Sequence, residues 1–301
     1  MTAYKFSQLC IEAGLPPGVL NIVHGSGAST GNALVDHDDV KAVSFTGGTK
    51  TGKHIAGVVA PKLKKLSLEL GGKNPNVIFA DCNYEKMLET TLRSSFANQG
   101  QICLCGSRIY IEKPFYEKFK TDFVERANKL VVGDPKNQKS NLGAVVSKPH
   151  FEKILGCVDV ARKEGGTVLC GGAAAEVNGR CENGWFVQPT VIEGLANNSQ
   201  TNQQEIFGPV VTIQPFETDD EAIELANGTD YGLSATVWTE NLSRGNRMAK
   251  QIQAGVVWIN CWLIRDLRTP FGGVNQSGVG REGGLDSIRF FTQCKNVCIK
   301  Y

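Results

Sequence analysis

This sequence predicts an α/β fold built on a parallel sheet, and three observations carry that prediction. Short apolar runs of strand length, such as Ala42-Val43-Ser44-Phe45 and Asn76-Val77-Ile78-Phe79-Ala80, alternate with amphipathic segments long enough for several helical turns. Glycine-containing turns separate the two kinds of segment, as the crossovers of a parallel sheet require. The chain has 301 residues, 41% of them hydrophobic, enough to bury a sizeable core in more than one domain.

Taken in order, residues 1–13 read as an amphipathic helix ending near Gly14, after which Pro16 and Pro17 punctuate the chain. Residues 19–23 are a compact apolar run and a strand candidate. Gly25-Ser26-Gly27 opens a helical segment to about Val35. Residues 42–45 are a strand, and Thr46-Gly47-Gly48-Thr49 turns it into a helix over 50–60 that stops at Pro61. Residues 63–70 alternate as a strand does, Gly71-Gly72 breaks it, and residues 76–80 form the next strand. Asn83 is placed to cap a helix that carries Met87, Leu88, Leu92 and Phe96 on one face. Helices follow at about 115–131, 148–164 and 219–227, a strand at 256–260, a glycine-rich loop over 271–284, and a tail over 290–301 that alternates as an edge strand would. The chain opens on a helix, whereas a parallel sheet with ligand loops ordinarily opens on a strand.

Lys plus Arg number 32 against 30 Asp plus Glu, a formal charge of +2. That balance asks for neither nucleic acid nor an anionic membrane as partner. The run Lys62-Leu63-Lys64-Lys65 reads as a solvated approach to the following strand. The 10 cysteines are scattered without a compact framework, a usage suited to a reducing compartment. No basic, then apolar leader and no membrane-length apolar run is present, so the expected location is the cytoplasm. The 4 histidines have no metal-ligand spacing, and the Cys103–Cys105 pair has no second pair to close a zinc site, so no metal is expected.

Several segments have the residue types of a reactive site. Phe45 to Gly52 is a glycine turn between a strand and a helix, where free N–H groups favour a phosphate. An unliganded βα turn fits the same residues, and the spacing is not that of the common dinucleotide fingerprint. Phe96-Ala97-Asn98-Gln99-Gly100-Gln101-Ile102-Cys103 delivers a thiol just after an amphipathic helix, a placement that suits a nucleophile beside free backbone N–H groups. A buried structural cysteine is the alternative. Glu69 is a lone carboxylate in the apolar run Leu66-Ser67-Leu68-Glu69-Leu70; burial would raise its pKa toward a general base's range, whereas a solvent-facing strand position would leave it ordinary. Glu205-Ile206-Phe207-Gly208-Pro209 and Pro270-Phe271-Gly272-Gly273 are turn-rich and carry aromatics.

In this order and spacing, Leu68-Glu69-Leu70-Gly71-Gly72-Lys73, the Phe96–Cys103 segment, Glu205–Pro209 and Pro270–Gly273 with Ser277-Gly278 resemble the aldehyde dehydrogenase superfamily across the whole chain. The resemblance implies that Cys103 is the nucleophile and that its backbone N–H supplies half an oxyanion hole. Glu69 would be the base that activates water. Gly47, Gly48, Thr49, Gly52 and Leu70 would border the cofactor NAD, with Glu205 on the nicotinamide ribose and Phe207 beside the ring. Gly48 departs from the serine common in the family, which would loosen one phosphate contact. The loop Asn260-Cys261-Trp262-Leu263-Ile264-Arg265-Asp266-Leu267-Arg268-Thr269-Pro270 resembles the subgroup that acts on muconic semialdehydes in tryptophan catabolism. It makes Arg265 the candidate for binding a substrate carboxylate, and Phe271 a further substrate-binding residue. The alternative for Arg265 is an ion pair with Asp266, and Arg268 is a second candidate for the carboxylate.

By the same resemblance, Met1 matches a position well inside the family's chain. The start of the cofactor sheet, the asparagine completing the oxyanion hole and the residues gripping the adenosine ribose would lie upstream. The expected organisation is a partial NAD-binding domain over 1–71, a catalytic domain over 72–271, and a return segment with an oligomerisation strand over 272–301. Three roles compete: an NAD-dependent oxidoreductase making a carboxylic acid from an aldehyde; an inactive truncated subunit that joins full-length partners; and a cysteine hydrolase, disfavoured because no histidine motif is suited to activating Cys103.

Overall fold

The computed structural model describes residues 1–301. By internal contacts the chain divides into two compact units, one of residues 1–44 with 53–66 and one of residues 45–52 with 67–301.

In the first unit, helix α1 (Thr2–Glu12) leads to a wide turn, Gly27–Gly31, and the short helix α2 (Asn32–Asp36). No strand forms over 19–23; Val19 N–H instead closes a turn on Pro16 O. An apolar run becomes a strand only where a neighbouring strand takes its backbone groups, and here none does. The lysine run is more than a solvated approach. Lys64 Nζ donates to Val35 O at 2.7 Å and His37 O at 2.6 Å, and Lys62 Nζ pairs with Asp36 at 2.9 Å and Asp38 at 3.0 Å. The two ammonium groups thus gather at the carbonyl end of α2, where the helix dipole favours cations.

Strand β1 (Ala42–Thr46), helix α3 (Thr49–Val59) and strand β2 (Lys65–Glu69) follow, and a short late strand, Gly278–Val279, joins the small sheet. It pairs antiparallel with β2, Gly278 opposite Glu69 and Val279 opposite Leu68.

The second unit is built on seven strands: β3 (Asn74–Ile78), β4 (Gly106–Glu112), β5 (Thr167–Cys170), β6 (Thr190–Glu193), β7 (Val210–Phe216), β8 (Ser234–Trp238) and β9 (Val256–Ile259). Their order is β5-β6-β7-β4-β3-β8-β9, and every pairing is parallel except β5 with β6. The crossovers are helical: α4 (Tyr84–Phe96), α5 (Lys113–Asn128), α6 (Lys148–Lys163), α7 (Gln200–Gln203), α8 (Asp219–Asn227) and α9 (Leu242–Gln251). Asn83 does cap α4, its Oδ1 accepting from Lys86 N–H at 3.2 Å.

Strand alternation sorts the core onto two faces. Ile78, Ile109 and Ile111 pack with Met87, Leu88, Phe119 and Phe123 of α4 and α5. Val77, Phe79 and Tyr110 pack with Ala222 and Leu225 of α8 and Met248 of α9. Strands buried on both faces read as continuous apolar runs.

The tail departs from expectation. Gly284–Phe291 is a helix, α10, and residues 292–301 form no strand. No helix of the chain is long and apolar enough to cross a membrane.

Candidate active site

Parallel strands start on one edge of their sheet, so the loops leading into adjacent strands meet there. In the order β7-β4-β3-β8, those loops carry Glu205–Gly208, Cys103–Cys105, Leu70–Lys73 and Gly232-Leu233. This single topological fact brings together segments far apart in sequence.

Cys103 sits in a turn closed by Cys105 N–H on Ile102 O at 2.9 Å. The residues before it are left-handed in succession: Asn98 (φ 49°), Gln99 (φ 56°) and Gly100 (φ 69°). Gly100 could bear no side chain, since a Cβ there would overlap the backbone at Gly208. Such conformations cost roughly 1–3 kcal/mol at a non-glycine residue and persist only where surroundings hold them. The holding is visible in the carbonyls. Asn74 Nδ2 donates to Cys103 O at 2.7 Å and Cys105 O at 2.9 Å, and Trp262 Nε1 donates to the intervening Leu104 O at 3.0 Å. Asn74 is itself fixed by Ser234 N–H on its Oδ1 at 3.1 Å. Neither Asn74 nor Trp262 was singled out in the sequence; an asparagine entering a buried strand is the signal that marks the first.

Glu69 ends β2 and is 5% exposed. Its Oε1 is buried without a hydrogen-bond partner. Its pKa is pushed up to about 7, by burial first and the Glu282 carboxylate second, with Arg281 and Arg265 pulling it down. The solvent-facing alternative for this side chain is therefore not what the strand does. Burial also raises the Cys103 thiol, as do the carboxylates of Glu205 and Glu69, against a lowering by Arg265. Cys103, Glu69, Glu205 and Arg265 are thus one electrostatic neighbourhood.

Glu205 Oε1 accepts from Gly72 N–H at 3.1 Å, and its carboxylate lies where a Cβ on Gly71 would be. Burial raises its pKa, opposed by the Gly72 N–H, Lys153 and Lys73. Phe207 is left-handed at φ 59°. Cys103, Glu205 and Phe207 line one cavity together with Gly72, Gly100 and Ser107. Leu70 is buried, its N–H on Ser277 O at 2.9 Å. Ser277 Oγ donates to Gly71 O at 2.7 Å and accepts from Gly232 N–H at 2.9 Å, tying the Gly71 turn to the loop before β8.

Gly47 N–H donates to Glu69 O at 3.0 Å, which sets the glycine turn beside the end of β2. Thr51 and Gly52 N–H groups both reach Gly48 O at 3.0 Å, so α3 winds directly from the turn. Thr49 Oγ1 lies 3.5 Å from Gln276 O. Gly52 touches Leu70 so closely that a Cβ would overlap its methyls, whereas a Cβ on Gly48 would meet nothing. Packing therefore requires the glycine at 52 and not at 48.

Arg265 is exposed, with its guanidinium 3.9 Å from the centroid of the Phe271 ring, a cation–π stack. Asp266 is engaged by Arg268, whose Nε lies 2.9 Å from Asp266 Oδ1, so the ion pair weighed for Arg265 is made by its neighbour. Phe271 is buried and bridged to Glu282 by reciprocal backbone hydrogen bonds. Trp258 Nε1 donates to Ile264 O at 2.8 Å and pins the loop just before Arg265.

A family model described as the aldehyde dehydrogenase family matches residues 1–297. The chain is 50% identical, over its whole length, to 2-aminomuconic semialdehyde dehydrogenase of Danio rerio, and covers 62% of that protein. It is 46% identical to 2-hydroxymuconic semialdehyde dehydrogenase of Pseudomonas sp. (strain CF600), again over its whole length and 62% of the relative. Among solved structures, betaine aldehyde dehydrogenase of Staphylococcus aureus in complex with NAD+ superposes with a TM-score of 0.93 at 38% identity, over 96% of this chain and 57% of that one. The chain thus spans about three-fifths of the length of the curated relatives it matches.

Proposed function

The chain belongs to the aldehyde dehydrogenase family, and on that premise we propose that it carries the thiol and general-base chemistry of an NAD-dependent oxidation of an aldehyde to a carboxylic acid. The observation that carries the proposal is the buried Glu69 carboxylate, its Oε1 unpartnered and its pKa near 7, in the same neighbourhood as the Cys103 thiol. A carboxylate tuned to the working pH is what a general base needs.

The residues fit NAD. The opening turn of α3 at Gly48-Thr49 presents helix N–H groups suited to a pyrophosphate, and Glu205 offers a buried carboxylate acceptor suited to ribose hydroxyls. When bound, NAD accepts the hydride. The rest is the chain's work. Cys103 Sγ loses its proton and bonds to the aldehyde carbon, and the resulting oxyanion meets the Cys103 backbone N–H. The negative charge of Glu69 raises the thiol's pKa, so proton loss from Sγ becomes easier once Glu69 holds a proton. Hydride departure leaves a thioester on Cys103. Glu69, having released any proton it held to solvent, then takes one from water as the hydroxyl adds to the thioester carbon, and passes it to Sγ so that the thiol returns as the acid leaves; the proton first lost from Sγ goes to solvent. The balance is aldehyde, NAD+ and water giving acid, NADH and a proton.

We further assign the substrate class as an aldehyde bearing a carboxylate, as in the muconic semialdehydes named for two similar proteins. Arg265 supports this reading. Its fork is free of Asp266, it is stacked on Phe271, and its charge reaches both Glu69 and Cys103. In the same reading, residues 1–71 serve the cofactor, 72–271 the chemistry, and 272–301 return and join copies of the chain. The test is NADH formation by the purified chain with NAD and 2-hydroxymuconic semialdehyde, beside Cys103→Ala. Turnover lost in the variant supports the proposal; no NADH from a folded, unsubstituted sample overturns it.

A further inference from the structure

Three successive carbonyls of the Glu205–Phe207 turn each accept a hydrogen bond from one face of α6. Lys153 Nζ donates to Glu205 O at 3.0 Å and to Ile206 O at 3.2 Å, and His150 Nε2 lies 2.7 Å from Phe207 O. A carbonyl only accepts, so Nε2 of His150 carries the proton. Residues 150 and 153 are three apart on the helix and therefore neighbours on its surface. Ser147 Oγ caps the same turn of helix, accepting from His150 N–H at 3.4 Å. Beneath them Ile154 packs with Ile206, and a Cβ on Gly208 would overlap the Ile154 side chain.

The turn needs such support. Phe207 is a non-glycine residue at φ 59°, and its ring sits edge-on to His150 with centroids 6.1 Å apart. A strained residue holds its conformation only while its surroundings dictate it. On the functional reading above, Glu205 and Phe207 would face the cofactor's nicotinamide half, and small misplacement of a positioned group is costly in rate.

We infer that His150 and Lys153 are positioning residues: by binding consecutive carbonyls they hold Glu205 and Phe207 in the geometry that receives the nicotinamide riboside. The inference rests on the functional reading above for what the turn receives, but not for the claim that α6 holds it.

The test compares the unsubstituted chain with His150→Ala/Lys153→Ala and with the donor-retaining pair His150→Gln/Lys153→Arg. Amide hydrogen exchange is read over 204–210, where Gln204 N–H donates to Gln200 O and Val210 N–H to Gly208 O. The double alanine variant should exchange about tenfold faster there, with the sheet unchanged, and the donor-retaining pair should restore most of the protection. The KM for NAD of the double alanine variant should rise about tenfold, while cofactor-independent hydrolysis of an aryl ester by Cys103 changes far less. A merely structural lesion would lower both activities and raise exchange across the sheet. Exchange over 204–210 within about twofold of the unsubstituted chain would overturn the inference. So would a donor-retaining pair as labile as the double alanine. If the unsubstituted chain turns over no NAD, the functional reading fails, and the exchange measurement still decides whether α6 holds the turn.

Discussion

Asn74 Nδ2 donates to Cys103 O at 2.7 Å, and the same amide nitrogen reaches Cys105 O at 2.9 Å. One side chain at the start of a central strand thereby sets the path of the loop that presents the thiol. Asn74→Ala leaves two carbonyls and the Ser234 N–H without their partner in a buried setting. The expected loss of stability is ~2–3 kcal/mol. The loop should also wander, and kcat should fall about a hundredfold with the KM for NAD little changed. Thermal unfolding and steady-state kinetics on the variant check this; kcat within a factor of about two would show that the left-handed 98–100 segment holds itself.

That relationship also marks what the sequence could and could not reveal. Periodicity finds α4, α6 and α8 because each presents one apolar face to one sheet face. Cys103 and Glu69 are visible as residues out of place in their surroundings. Asn74, Trp262, His150 and Lys153 act through backbone carbonyls of segments far from them in sequence, and no local pattern announces such a bond. The 19–23 run and the tail show the converse. A compact apolar run suggests a strand in the first and alternation suggests one in the second, but a strand exists only where another chain segment takes its hydrogen bonds, and α10 occupies part of the tail instead.

Glu69 gives two linked predictions. Glu69→Gln keeps size but cannot take a proton from water, so hydride transfer should still occur once per thiol and hydrolysis should stall. Rapid mixing should show a stoichiometric burst of NADH followed by turnover slowed about 10²–10⁴-fold. For the unsubstituted chain, deacylation should rise with pH through about 7 as the carboxylate ionises.

The same shift affects stability. The folded pKa, about 7, lies above the ordinary 4.5, so between those values the folded chain holds a proton that the unfolded chain has released. The contribution of Glu69 to stability is therefore greatest below pH 4.5 and is lost as pH climbs to about 7. Over that window the Tm difference between Glu69→Gln and the unsubstituted chain should move in favour of the variant. A difference independent of pH would show that the carboxyl titrates normally.

Two glycines in the proposed cofactor region should respond oppositely to a side chain. A Cβ at Gly71 would overlap the Glu205 carboxylate, whereas a Cβ at Gly48 meets nothing. Gly71→Ala should displace Glu205 and raise the KM for NAD about tenfold. Gly48→Ser should fold normally and add a hydroxyl at the mouth of α3, lowering that KM a few-fold. Equal effects from the two would place the cofactor elsewhere.

Arg265 is the residue on which the proposed substrate class can be tested. Its guanidinium stacks on Phe271 at 3.9 Å, and its neighbour Arg268 engages Asp266, so its outward-facing donors remain for a ligand. A charged hydrogen bond is worth about 1.5–3 kcal/mol, or roughly 10–100-fold in kcat/KM. Arg265→Gln should impose that loss on a carboxylate-bearing semialdehyde and spare a neutral aldehyde of similar length. Arg265→Lys should recover only part of it, because a lysine keeps the charge but not the planar fork that meets both carboxylate oxygens. Removing the charge also withdraws the lowering it exerts on Glu69 and Cys103, so the rising limb of the pH profile should move upward in Arg265→Gln for either substrate. The two effects separate binding from tuning. An equal loss on both aldehydes with a shifted profile would leave Arg265 a modulator of the catalytic pair, and a loss confined to the charged aldehyde would make it the residue that selects the substrate.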